Sequence, residues 1–231
     1  MSEVPGLHTR LAIALDVDDE NEALRLASLV APYFDIAKVG LELYASVGPT
    51  IVTSLIERGF AVFIDLKLHD IPTTVERAAR VLGRLGASYA TVHAAGGLDM
   101  VRAAVAGFGE GASAGGFSEP TVLGVTVLTS MTDAPAELLT ERVKVLQLAG
   151  AGGLVCAAAD LETIREVAPD LIAVVPGIRP RDAVLNDQAR VATPEEAIAR
   201  GADVLVIGRP VTHAADPRAV AHEIAVSIGL F

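Results

Sequence analysis

Short apolar runs alternate along the chain with longer amphipathic stretches. LAIALD (11–16) reads as a strand, and DENEALRLASLVAP (19–32) has the helical spacing Ala23, Leu26, Ala27, Val30. DIAKVG (35–40) is a second strand, followed by a helix over 49–59 that Gly59 ends. FAVFIDLK (60–67) is a third strand, and Pro72 opens a helix running to Gly86. Further strands fall at 89–94, 121–129, 152–158, 170–176 and 203–208, each followed by a helical stretch. One of these, TPEEAIARG (193–201), starts with Thr193 and Glu196 in capping-box order. Strands that regularly alternate with helices predict a parallel sheet and the α/β class. Eight units suit a single (β/α)8 TIM barrel over 1–231, and a doubly wound open sheet is the alternative. No interdomain linker interrupts the pattern. The Gly/Ser-rich stretch 107–120 reads as a mobile surface loop rather than a lid.

Composition narrows the function classes. The 231 residues carry 18 Lys+Arg against 29 Asp+Glu, a net charge of −11, with 52% hydrophobic and 20% charged. This excludes intrinsic disorder. It also argues against nucleic acid or an anionic membrane as partner, while leaving room for a local positive pocket. The lone Cys156 excludes an intrachain disulfide framework and a multi-cysteine metal cluster, and its apolar neighbours suggest a packed thiol. No signal-like N-terminus and no apolar run of ~18 residues is present, so a cytoplasmic protein is expected.

Of the 18 basic residues only Lys38, Lys67 and Lys144 are lysines. Lysine can release its proton in a protein and arginine cannot. Function in such a barrel sits at the C-terminal strand ends. There the chain places Asp16 on strand one, Lys38 on strand two, and Asp65, Lys67 and Asp70 on and just past strand three. Residues two apart on a strand share a face, so Asp65 and Lys67 point together while Val62, Ile64 and Leu66 face the helices. A buried structural ion pair is the plain alternative. Five alternating charges at one barrel mouth exceed what such a pair needs, because each buried ion costs several kcal/mol unless paired.

IDLKLHDIPTTV (64–75) closely resembles the DLK-x-HDIPNTV motif of the orotidine 5′-phosphate decarboxylase family. The resemblance extends through KVG (38–40), TVHAAGG (91–97), VTVLTSM (125–131), PGIRP (176–180), Asp187-Gln188-x-Arg190 and VIGRPVTHAADP (206–217). Thr73 stands where Asn is usual, and Val175 where Thr is common.

The resemblance implies decarboxylation of orotidine 5′-phosphate to uridine 5′-phosphate, without metal or organic cofactor. It implies Lys67 as proton donor to C6, with Asp65 and Asp70 holding it charged and oriented. It implies Lys38 as balancing Asp65 and, with Asp16, reaching the ribose hydroxyls. Gly208 and Arg209 suit phosphate after strand eight, with a plain turn and solvated arginine as the alternative. The family uses Pro176, Arg179 and Gln188 for the nucleotide, and Thr129 and Ser130 near the pyrimidine, though these two could be ordinary polar strand ends. Asp70 and Thr74 would reach the neighbouring site of a homodimer. The loop 177–193 is expected to close over phosphate. His93 reads as a structural hydrogen-bonding residue, and His8, His213 and His222 as surface or cap residues.

Two rival readings remain. One is a magnesium-dependent 3-hexulose-6-phosphate synthase-like lyase, disfavoured by a cation, Lys38, on strand two. The other is a catalytically silent barrel that binds a phosphorylated nucleotide.

Overall fold

A strand with the barrel interior on one side and helices on the other buries both faces, so it reads as an unbroken apolar run. The computed structural model describes residues 10–118, 120–128, 131, 135–180 and 191–231. Its strands are β1 (Arg10–Ala14), β2 (Ile36–Val39), β3 (Ala61–Leu68), β4 (Tyr89–His93), β5 (Thr121–Val125), β6 (Gly153–Val155), β7 (Ile172–Val175) and β8 (Val204–Ile207). They pair in chain order and close, with Ala12 of β1 opposite Val206 of β8. Closure of the parallel sheet eliminates the open-sheet alternative and makes the fold a (β/α)8 barrel.

The surrounding helices are α1 (Glu20–Val30), α2 (Leu41–Val47), α3 (Thr50–Ile56), α4 (Pro72–Arg84), α5 (Gly97–Gly115), α6 (Ala136–Ala149), α7 (Leu161–Val167), α8 (Pro194–Ala199), α9 (Arg209–Thr212) and α10 (Pro217–Ser227). The capping box at Thr193 is present. Helices α2 and α9 were not expected from the pattern; each is short and follows directly on a strand end. None of the described helices is long and apolar enough to cross a membrane.

Alternation along the strands sorts the core into two layers. Leu11, Ile13, Val62, Ile64, Val92, Leu205 and Ile207 pack against the helices. Ala12, Ala14, Ile36, Phe63, Tyr89, Leu123, Val174, Val204 and Val206 fill the barrel. The Phe63 and Tyr89 rings meet edge to face at 6.2 Å, and Arg10 donates to the Tyr89 hydroxyl at 3.0 Å. This apolar plug forms a rigid floor beneath the charged strand ends.

The loop expected at 107–120 is wrong over its first nine residues: α5 continues to Gly115, and Gly116, with φ 77°, caps it in the left-handed conformation. Glycines 107, 111 and 115 recur every four residues on one helix face. A Cβ at Gly107 would lie 2.2 Å from the Glu76 carbonyl oxygen, and one at Gly111 2.0 Å from that of Arg80. On α4, a Cβ at Gly83 would lie 2.2 Å from the Phe108 carbonyl oxygen. The two helix backbones touch, and that packing overrides an intrinsic cost of about 1 kcal/mol per helical glycine.

Candidate active site

The inward-facing positions are apolar low in the barrel and charged at its mouth. On β3 the inward series runs Ala61, Phe63, Asp65, Lys67; on β2 it runs Ile36, Lys38; past β1 it reaches Asp16. Lys38 is only 8% exposed. Its ammonium lies 2.9 Å from Asp16 Oδ1 and 3.8 Å from Asp65 Oδ2. Asp65 Oδ2 lies 2.9 Å from Lys67 Nζ. The four charges therefore alternate in sign along one connected array and sum to zero, which offsets the desolvation each would otherwise suffer. Gly40 is required beside it: a Cβ there would come within 2.9 Å of Asp16 Oδ1 and 3.2 Å of Lys38 Nζ.

Lys67 departs from regular strand geometry. Ile64 pairs with Ala90 and Leu68 with Val92, so β3 spends four residues where β4 spends two. Lys67 takes up the excess with φ 52°, the one positive φ outside glycine among the described residues. A non-glycine residue held there costs of order 1–3 kcal/mol, and such strain concentrates at functional sites. The Lys67 N–H donates to the Thr91 hydroxyl at 2.9 Å, and that hydroxyl donates to Asp65 Oδ1 at 3.0 Å.

A cavity of about 550 Å³ opens above the array, within the range of small-molecule sites. Strands β2 and β3 contribute Lys38, Asp65 and Lys67 to its wall, the segment just past β1 contributes Asp16, and the segments past β7 and β8 contribute Pro176, Arg179, Gly208 and Arg209. These eight of the sequence-derived site residues are thus brought together. Asp70 and Thr74 are exposed and do not line this cavity. The Asp70 carboxylate accepts the Ile71 N–H at 2.7 Å and has no ion pair within 4.0 Å among the described residues. Thr129, Ser130 and Gln188 lie outside the described residues, as does most of the loop 177–193. The described ends of that loop are joined by Arg179 N–H donating to the Ala192 carbonyl at 2.9 Å.

His93 does not make the hydrogen bond expected of its ring among the described residues. It instead stacks at a tilt on His69, with centroids 5.3 Å apart. Burial holds its imidazole below the ordinary value of 6.5, and His69, Lys67 and Arg142 add to the effect while Asp65 opposes it. His213, read as a surface or cap residue, is exposed but also borders the cavity. Leu41 and Glu42 of α2 border it too, and sequence reasoning missed them because α2 itself was unexpected. Thr91 was missed although a signal existed: it is a polar residue at an inward position of a strand, 1% exposed. No cluster of three or more His, Cys, Asp or Glu among the described residues is arranged to hold a metal ion.

Residues 9–224 match the family described as Orotidine 5'-phosphate decarboxylase / HUMPS family. The orotidine 5'-phosphate decarboxylase of Thermobifida fusca is 48% identical over 230 residues, covering 94% of this chain and 95% of that protein. That of Anaeromyxobacter dehalogenans is 46% identical, covering 95% and 98%. The crystal structure of orotidine 5'-phosphate decarboxylase from Lactobacillus acidophilus superposes with a TM-score of 0.79 at 33% identity, over 96% of this chain and 99% of that one.

Proposed function

We propose, because this chain belongs to the Orotidine 5'-phosphate decarboxylase / HUMPS family, that it is a carboxy-lyase converting orotidine 5′-phosphate to uridine 5′-phosphate in pyrimidine biosynthesis. The observation that carries this reading is the Asp16–Lys38–Asp65–Lys67 array at the mouth of a nucleotide-sized cavity.

In this reading the bond from C6 to the carboxylate breaks, CO2 leaves, and the electron pair remains on C6. The Lys67 ammonium transfers a proton to C6 and becomes a neutral amine, which solvent reprotonates. Asp65 fixes the ammonium before the reaction, so little reorganisation is needed as negative charge develops. Lys38 balances Asp65 and, with Asp16, engages the ribose hydroxyls. Arg179, Gly208 and Arg209 take the phosphate, where a guanidinium can pair two oxygens and a glycine admits the anion to the backbone. Gln188 joins them, Pro176 lines the nucleotide, and Thr129 and Ser130 recognise the pyrimidine. The loop 177–193 closes over the phosphate.

Asp70 and Thr74 serve the neighbouring site of a homodimer. Their exposure and their absence from the wall of the chain's own cavity support this. The substrate carboxylate would meet the partner's carboxylate at position 70, and their repulsion would ease as CO2 departs. The whole chain acts as one cytoplasmic decarboxylase domain that needs no metal or organic cofactor.

An ultraviolet assay with orotidine 5′-phosphate, run with and without chelator, tests the reading. Equal turnover in both is expected. Loss on chelation supports a magnesium-dependent lyase instead, and nucleotide binding without turnover supports a silent barrel.

A further inference from the structure

We infer that Thr91 is a positioning residue for the proton donor: its hydroxyl holds the left-handed bend at Lys67 and aims the Lys67 ammonium through Asp65. This rests on the decarboxylase reading for its kinetic consequence, but its structural content stands apart from the substrate.

The argument begins with the β3 bulge. Between Ile64 and Leu68 the ladder to β4 is broken, so backbone groups there lose their regular partners. A buried N–H without a partner is costly, and the Lys67 N–H finds one in the Thr91 hydroxyl at 2.9 Å. The same oxygen has one proton to give and gives it to Asp65 Oδ1 at 3.0 Å. The other carboxylate oxygen, Oδ2, contacts Lys67 Nζ at 2.9 Å. The contacts form a closed circuit. It leaves Lys67 through its own N–H, passes through Thr91 and both oxygens of Asp65, and returns to Lys67 at the ammonium. Each link fixes one freedom: the Lys67 backbone, the rotation of the Asp65 carboxylate, and the direction of the lysine side chain.

Thr91 suits this role because it is immobile. It sits in mid-β4, with Leu123 of β5 opposite, and is 1% exposed. Its hydroxyl bonds the Lys67 N–H and Asp65 Oδ1 at once, and Thr91 does not line the cavity wall. It therefore acts on the reaction through Asp65 and Lys67.

Thr91→Val keeps the shape and removes the hydroxyl, and Thr91→Ser keeps the hydroxyl. On orotidine 5′-phosphate, Val should lower kcat at least about tenfold with KM changed less than about threefold, because an interaction that orients the acid is realised in the transition state. Ser should restore kcat to within about threefold of the parent. A kcat for Val within that margin, or equal losses in Val and Ser, overturns the proposal. Hydrogen exchange at the Lys67 amide gives a reading that needs no turnover. Protection there should fall at least about tenfold in Val and persist in Ser, while β4 amides remote from residue 91 stay protected in both. Unchanged protection at Lys67 in Val overturns the proposal even if the parent chain decarboxylates. A parent chain without turnover, with protection behaving as expected, overturns the decarboxylase reading alone.

Discussion

Asp65 Oδ2 lies 2.9 Å from the Lys67 ammonium, although β3 slips its register against β4 around the two residues and Lys67 has a positive φ of 52°. The pair is not an ordinary same-face contact on a strand. Beside the irregularity in β3, the Thr91 hydroxyl bonds both the Lys67 N–H and Asp65 Oδ1, and strained backbone of this kind clusters at functional sites.

That position makes the amine hard to replace. Lys67→Ala should retain the fold and lower turnover by at least about 10²-fold, the scale of a lost general acid. Lys67→Arg should recover little, because a guanidinium gives up its proton poorly and has the wrong shape. Steady-state turnover of orotidine 5′-phosphate checks both, and either variant within about tenfold of the parent removes Lys67 from the role of acid.

Asp70 stands outside its own cavity, and the proposed site shared between two subunits of a homodimer predicts a specific behaviour on mixing. Lys67→Ala and Asp70→Ala should each be inactive as homodimers. Refolded together, half the dimers are mixed, and each mixed dimer has one intact site. About a quarter of parental turnover should return. If the mixture stays as inactive as its components, Asp70 does not serve a partner's site.

His93 predicts a pH effect on stability. Burial, then His69, Lys67 and Arg142, hold its imidazole below 6.5 against the opposing pull of Asp65. The folded chain therefore refuses a proton that the unfolded chain accepts. Stability from this site is intact above 6.5 and is lost as pH falls from there toward the folded value. His93→Gln should lack this loss. Its melting temperature should gain on the parent's as pH is lowered from about 7.5 to about 5.5, across the histidine range. A difference that does not vary with pH would falsify the assignment.

The α4–α5 contact predicts opposite outcomes for two neighbouring glycines. Gly111→Ala places a methyl group 2.0 Å from the Arg80 carbonyl oxygen and should cost about 2 kcal/mol of stability or more. Gly109→Ala meets nothing within 4 Å and should be neutral or stabilising by up to about 1 kcal/mol. Urea unfolding of the two variants distinguishes them. Equal effects would mean that the helices are not in backbone contact.

Local pattern carried much of this molecule. The strand runs, the Thr193 capping box and the inward phase of Asp65 follow from spacings of two to four residues, and such spacings are legible in a chain before it folds. The Asp16, Lys38, Asp65 and Lys67 positions at strand ends were legible for the same reason. The stretch 107–115 misled because the same glycines suit a loop or a tight helix contact, and only the presence of α4 chooses between them.

Other features have no local trace. Lys38 meets Asp16 across 22 residues of chain, and Thr91 meets Asp65 across 26. Neither distance is set by propensity; both follow from the order and register in which parallel strands close. The left-handed turn of Lys67 likewise exists because β3 has two residues more than β4 between paired positions. Side-chain period tells which way a residue faces, whereas strand register decides what it faces, and register is a property of the closed barrel.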